Sequence, residues 1–152
     1  MLVDDSAIVR GFMRRWIDEE PRIELAKACS DGAQAVAEAA SIRPDVIVLD
    51  IEMPRLDGLS ALPQLRKAAP DARIIMASTL TAAGATQTVK ALALGASDFI
   101  AKPQAITRLT AKTWPFILAT SSKKSRIPLL GSAATWPATQ RLESLLMGLA
   151  SG

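Results

Sequence analysis

The chain contains no histidine. That absence excludes a Ser-His-Asp triad, a Cys-His pair and any histidine-ligated metal built within this chain. A metal held here must be bound by oxygen, which points to Mg²⁺ or Ca²⁺. There is a single cysteine, Cys29, so no internal disulfide forms and a reducing cytoplasm is the expected setting. Cys29 itself reads as a small apolar core residue. No apolar run reaches the ~18 residues that a bilayer-spanning helix needs. An acidic pair directly after the third residue is unlike a secretory signal. Acids run short in one region only. Residues 1–104 carry 12 Lys and Arg against 14 Asp and Glu, a net of −2. Residues 105–152 carry 6 Lys and Arg against Glu143 alone, a net of +5, which gives the overall +3. A basic tail can signal nucleic acid or a membrane surface. Here the charges are scattered, with no helix-turn-helix and no aromatic-basic pattern, so neither is an expected partner.

The 152 residues, 49% hydrophobic and 22% charged, suffice for one domain with a core and some extra length. The organising stretch is Val46–Gly58. Val46, Ile47, Val48 and Leu49 form an unbroken apolar run, as in a strand buried on both faces of a parallel sheet. The run ends on Asp50, then come Pro54 and the Asp57-Gly58 pair, which are turn and helix-start signals. Asp50 is therefore expected at the carboxyl end of a central strand, where open α/β sheets build their sites.

The rest of the chain alternates. Met1–Val3 reads as a short strand end, with Asp5 or Ser6 capping an amphipathic helix over Ser6–Glu19. Ile23–Cys29 reads as an outer strand, and Ser30-Asp31-Gly32 caps a helix over Ala33–Ala40. A helix over Leu59–Ala69 contains Pro63, which predicts a late start or a bend. Arg73–Ser78 is a buried strand, Thr81–Leu94 a helix stopped by Gly95, and Ser97–Ala101 a fifth strand before Lys102-Pro103. Five strands alternating with helices predict a doubly wound α/β fold with a five-stranded parallel sheet.

In the strand order 2-1-3-4-5, the carboxyl ends of strands 1, 3, 4 and 5 adjoin. They bring together Asp4, Asp5, Asp50, Ser78 with Thr79, and Lys102. Each piece alone has a plainer explanation: Asp-Asp-Ser as a helix cap, Lys-Pro as a loop, Ser78 as an ordinary strand end, Phe99 as core. Together, they make a site. Crowded carboxylates resist ionising, Mg²⁺ offsets this with oxygen ligands, and a carboxylate beside a cationic lysine suits receipt of a phosphoryl group.

These motifs, V-D-D-S at 3–6, V-L-D-I-E-M-P-R-L-D-G at 48–58, M-A-S-T-L at 76–80 and D-F-I-A-K-P-Q at 98–104, resemble a response-regulator receiver domain with its flavodoxin-like fold. The resemblance covers Val3 to about Gln104. It implies Asp50 as phosphoacceptor. It implies Mg²⁺ held by Asp5 directly, Asp4 mainly through water, Asp50, and the carbonyl of Glu52. It also implies Lys102 on the phosphoryl group with a cis bond to Pro103, Ser78 as switch hydroxyl and Phe99 as switch aromatic. Glu52, Thr79 and Leu80 would flank the site, Glu52 and Leu80 tuning phosphate lifetime. More narrowly, the chain is similar to the receiver half of the chemotaxis protein-glutamate methylesterases. That implies a cytoplasmic two-component protein, a histidine kinase as phosphodonor, and an effector, the esterase domain or another, reached through the face made by the fourth helix, fifth strand and fifth helix.

Two departures stand out. The first strand is shorter than in the family, and the esterase machinery is absent from this chain, so no methylesterase activity is expected of it. The expected division is a receiver over 1–104, its fifth helix extending to about 119, and an atypical basic tail over 105–152. The tail has lost its acids and its helical period, and Trp-Pro appears twice, at 114–115 and 136–137. Sliding the frame back one nucleotide lets the codons of Trp114–Ser125 spell a balanced amphipathic helix similar to the family's linker, so an out-of-frame tail is one expectation. The competing function is a stand-alone receiver acting as a protein-binding module in another two-component pathway.

Overall fold

The structure is a computed structural model that describes residues 1–78 and 82–102. Strands β1 (Leu2–Val3), β2 (Ala28–Cys29), β3 (Val46–Asp50), β4 (Arg73–Ser78) and β5 (Asp98–Ala101) alternate with helices α1 (Ala7–Asp18), α2 (Gly32–Ile42), α3 (Gly58–Ala68) and α4 (Ala82–Ala93). The strands form one parallel sheet in the order β2-β1-β3-β4-β5. The expected fifth helix, a cis Lys102–Pro103 bond and the tail lie outside the described residues.

Period-two alternation divides the core between the two faces of the sheet. Val3, Ile47, Leu49, Ile74 and Met76 point to one face, where they meet Ala35 and Ala39 of α2, Ala61, Leu62 and Leu65 of α3, and Ala91 of α4. Leu2, Val48, Ile75, Ala77 and Ile100 point to the other, where they meet Met13, Trp16 and Ile17 of α1. Side chains such as Leu49, Ile74 and Met76 are fully buried, and each such side chain stabilises the fold by about 1.5–3 kcal/mol. Caps set the helix starts. Ser6 accepts from the Val9 N–H at 3.3 Å, Asp31 from Gln34 at 2.9 Å, and Asp57 from Ser60 at 2.9 Å.

Three expectations need correcting. The outer strand is Ala28–Cys29, not Ile23–Cys29. Its partner β1 has only Leu2 and Val3 to offer, so the ladder holds two residue pairs. Helix α3 starts on time at Gly58 and runs through Pro63. Pro63 faces outward, so its ring lies on the solvent side of the helix and not in the core. Helix α2 continues two residues past Ala40 to Ile42 and stops at Arg43, which takes the left-handed conformation at φ +49°. Gly95, at φ +98°, follows α4 as predicted.

Strand β1 pairs with its neighbours over Leu2 and Val3 alone. A cavity of about 420 Å³ opens there, lined by Ile17, Ile23, Leu25, Ile42, Val46 and Val48 among others. The α-amino group of Met1 donates to the Val46 carbonyl at 2.8 Å beside it. Burial lowers that amine's pKa to about 6.

Candidate functional site

Register places the site. Val3 is level with Leu49 and Asp50 with Ala77, so Asp4 and Asp50 emerge side by side at the carboxyl ends of β1 and β3. Ser78 pairs with Ala101, which brings Lys102 to the same edge. The Lys102 N–H donates to the Ser78 carbonyl at 2.7 Å and fixes the turn out of β5. Gly58 packs hard against this point. A Cβ there would lie 2.0 Å from the Asp50 carbonyl oxygen, so only glycine lets α3 begin this close to the strand end.

The charges then meet. Lys102 Nζ lies 2.9 Å from Asp4 Oδ2 and 2.6 Å from Asp50 Oδ2. Asp4 is 1% and Asp50 2% exposed, whereas Asp5 faces solvent. Oxygens of all three carboxylates fall within 4.8 Å of one another. Asp4 is held on two sides: Oδ1 accepts from the Ser6 N–H at 2.9 Å and its carbonyl from Arg10 Nη1 at 2.6 Å. Asp50 Oδ1 accepts from the Glu52 N–H at 3.2 Å. Asp50 Oδ2, buried, has the Lys102 ammonium as its neighbour.

Burial pushes the Asp50 carboxyl up to about 6; Lys102 pulls it down, the Asp4 charge pushes it up and the Glu52 N–H pulls it down. For Lys102, burial acts to lower the pKa, but the Asp50 and Asp4 carboxylates outweigh it and the net shift is upward. One ammonium thus serves two buried carboxylates, with a third at the rim. Three converging carboxylates, two of them buried, have the all-oxygen donor chemistry of a hard divalent cation site. The residues present fit such an ion.

Of the residues the sequence singles out, the structure places Asp4, Asp5, Asp50, Ser78 and Lys102 together at the carboxyl end of the sheet. Ser78 is 8% exposed. Phe99 is half-buried against the core on the α2–α3–α4 face. Glu52 is exposed, with its backbone tied to Asp50. Thr79, Leu80 and Pro103 lie outside the described residues. Sequence reasoning missed Arg10, which holds the Asp4 carbonyl. Its signal is faint: a basic residue one turn into α1, on the side that returns over the strand end.

Comparison with known proteins decides the family. The sequence profile described as "Response regulator receiver domain" matches residues 1–113. The chain belongs to the response-regulator receiver family. It is 50% identical over 105 residues to a protein-glutamate methylesterase/protein-glutamine glutaminase of Maricaulis maris, covering 69% of this chain and 26% of that protein. It is 55% identical over 105 residues to such a protein of Caulobacter vibrioides, covering 69% of this chain and 30% of that protein. The chain therefore spans between a quarter and a third of the length of these relatives. The crystal structure of the response regulator domain of Thermotoga maritima CheB superposes with a TM-score of 0.66 at 41% identity, covering 79% of this chain and 90% of that one. The CheX-CheY-BeF3-Mg²⁺ complex from Borrelia burgdorferi matches at 28% identity with a TM-score of 0.65, covering 77% of this chain and 85% of that one. The receiver is thus of the chemotaxis methylesterase type, a two-component signalling module. Among the described residues, no helix is long and apolar enough to cross a membrane.

Proposed function

We propose that this receiver accepts a phosphoryl group on Asp50 in a chemotaxis-type two-component pathway, with Mg²⁺ as its cofactor. The supporting observation is the Lys102 ammonium set between two buried carboxylates, with a third carboxylate converging on them. The donor is phosphohistidine on a partner kinase, because this chain has no histidine. An Asp50 oxygen attacks phosphorus in line as the P–N bond breaks. The bond's electrons go to the donor imidazole, which leaves neutral, and Asp50 becomes an acyl phosphate. Lys102 neutralises charge on the transferred oxygens. Asp4, Asp5, Asp50 and the Glu52 carbonyl would hold the Mg²⁺, which when bound neutralises further phosphoryl charge. The Borrelia complex carries BeF3 and Mg²⁺ together, in keeping with a paired metal and phosphoryl-like occupant.

In this reading Ser78 would donate to a phosphoryl oxygen once the group arrives. With Phe99 it would switch the face of α4 and β5, onto which the esterase domain of the longer relatives, or another effector, docks. The receiver ends near residue 104 in this reading, with 105–152 a tail of different composition. Incubation with a small phosphodonor should add one acid-stable, base-labile phosphate, and only with Mg²⁺ present. A phosphate gained equally in EDTA, or one stable to base, would refute the metal-assisted acyl phosphate.

A further inference from the structure

The loop of residues 51–57 carries Glu52 past the acidic site into α3. At its base, the Ile51 N–H donates to the Ala77 carbonyl at 3.2 Å, Glu52 to Asp50 Oδ1 at 3.2 Å, and Gly58 to the Ile51 carbonyl at 2.9 Å. Its apex is held from outside. Arg55 takes a left-handed backbone, φ +66°, which side chains with a Cβ adopt at a cost. Its guanidinium Nη2 pairs with Asp31 Oδ2 at the start of α2. Asp31 is 5% exposed, and its other oxygen accepts from the Gln34 N–H at 2.9 Å. One buried carboxylate thus caps α2 and grips the loop. Next to it, the Leu56 carbonyl lies over Gly32, where a Cβ would stand 2.6 Å from that oxygen and 2.9 Å from the Ala61 Cβ. The apex therefore leans on the first turn of α2 at two points, and neither touches the reacting atoms.

We propose that Asp31 and Arg55 are a positioning pair that fixes the Glu52 loop at the mouth of the acidic site and thereby sets metal affinity and phosphate lifetime. This rests on the phosphoacceptor reading above. The physical reason is leverage. Glu52 sits between a base tied to Asp50 and an apex tied to Asp31, so releasing the apex frees the backbone that must present the Glu52 carbonyl. Most of the Arg55 side chain is exposed, 67%, whereas Asp31 is buried, so releasing the pair can also cost stability. The melting temperature of each variant is therefore measured beside its Mg²⁺ affinity, and the two effects are read apart.

The test uses three variants of the full chain. Asp31→Asn keeps a capping oxygen, since Asn caps as well as Asp, and loses the charge. Arg55→Gly loses the guanidinium and relieves the left-handed strain. Arg55→Lys keeps a cation. Mg²⁺ alone is titrated into each by calorimetry, and phosphate lifetime is followed after loading from a small phosphodonor. Groups one step beyond metal ligands tune affinity about 10- to 100-fold, so this more distant pair should weaken Mg²⁺ binding about 3- to 10-fold in Asp31→Asn and in Arg55→Gly. The double variant should be no weaker than either single one, because both break one contact. Arg55→Lys should stay near wild type. Wild-type Mg²⁺ affinity and phosphate lifetime in both Asp31→Asn and Arg55→Gly would overturn the positioning role alone. A wild type that neither binds Mg²⁺ nor takes phosphate would overturn the reading of the site itself, and the pair with it.

Discussion

Asp50 holds its charge in an unfavourable place. Burial raises its pKa from 3.8 to about 6 in the folded chain, so the native state binds that proton more tightly than the unfolded chain does. The sign follows from linkage: between the unfolded and folded values the native state binds the extra proton, and stability falls as pH rises through that window. Without metal, Asp50→Asn should therefore melt higher than wild type at pH 7 to 8, with the gap shrinking towards pH 4. Each kcal/mol recovered shifts the melting temperature by about 4–8 °C in a domain of this size. A melting temperature in EDTA that is lower for Asp50→Asn at pH 7.5 would mean that the lost contact with Lys102 outweighs the relieved burial. At this scale the sequence was legible where a residue ends a strand. Asp4, Asp50, Ser78 and Lys102 each follow an apolar run, and parallel topology gathers such ends. Arg10 and the Asp31–Arg55 pair were not legible. Those contacts reach from a side chain on one element to a group on another, and no periodicity announces them.

Elements were legible wherever hydrophobic period and caps agreed. The β4 expectation of Arg73–Ser78 matches the structure residue for residue, because apolar residues on both faces leave it one role. The strand β2 was overcalled because alternation in Ile23–Cys29 says nothing about whether a partner strand extends alongside it. Pro63 was read as a disruption, yet a proline on the solvent side of a helix with a strong Asp57 cap is tolerated. The cavity beside β1 supplies a test. Three or four extended apolar residues joined to Met1 would fill the cavity of about 420 Å³ and replace a buried ammonium by a peptide N–H. Thermal denaturation should then show a higher melting temperature and slower amide exchange in β2 and β3. An unchanged or lower melting temperature would show that the added strand does not enter the cavity.

The whole molecule joins a sheet that is common to many functions with a site that is not. Fold alone would leave the chemistry open. Asp4 and Asp50 around one lysine, with Asp5 beside them, are the feature on which the proposed metal-assisted transfer rests. The composition shift after residue 104 was plain in the sequence, but what the following residues do has no counterpart in the described structure. Everything proposed for this site depends on Asp50 receiving the phosphoryl group. Intact-mass spectrometry after incubation with a small phosphodonor and Mg²⁺ reads that out. Wild type should gain the mass of one phosphoryl group and lose it in base, and Asp50→Asn should gain none. A variant that gains the same mass to the same extent would contradict the account.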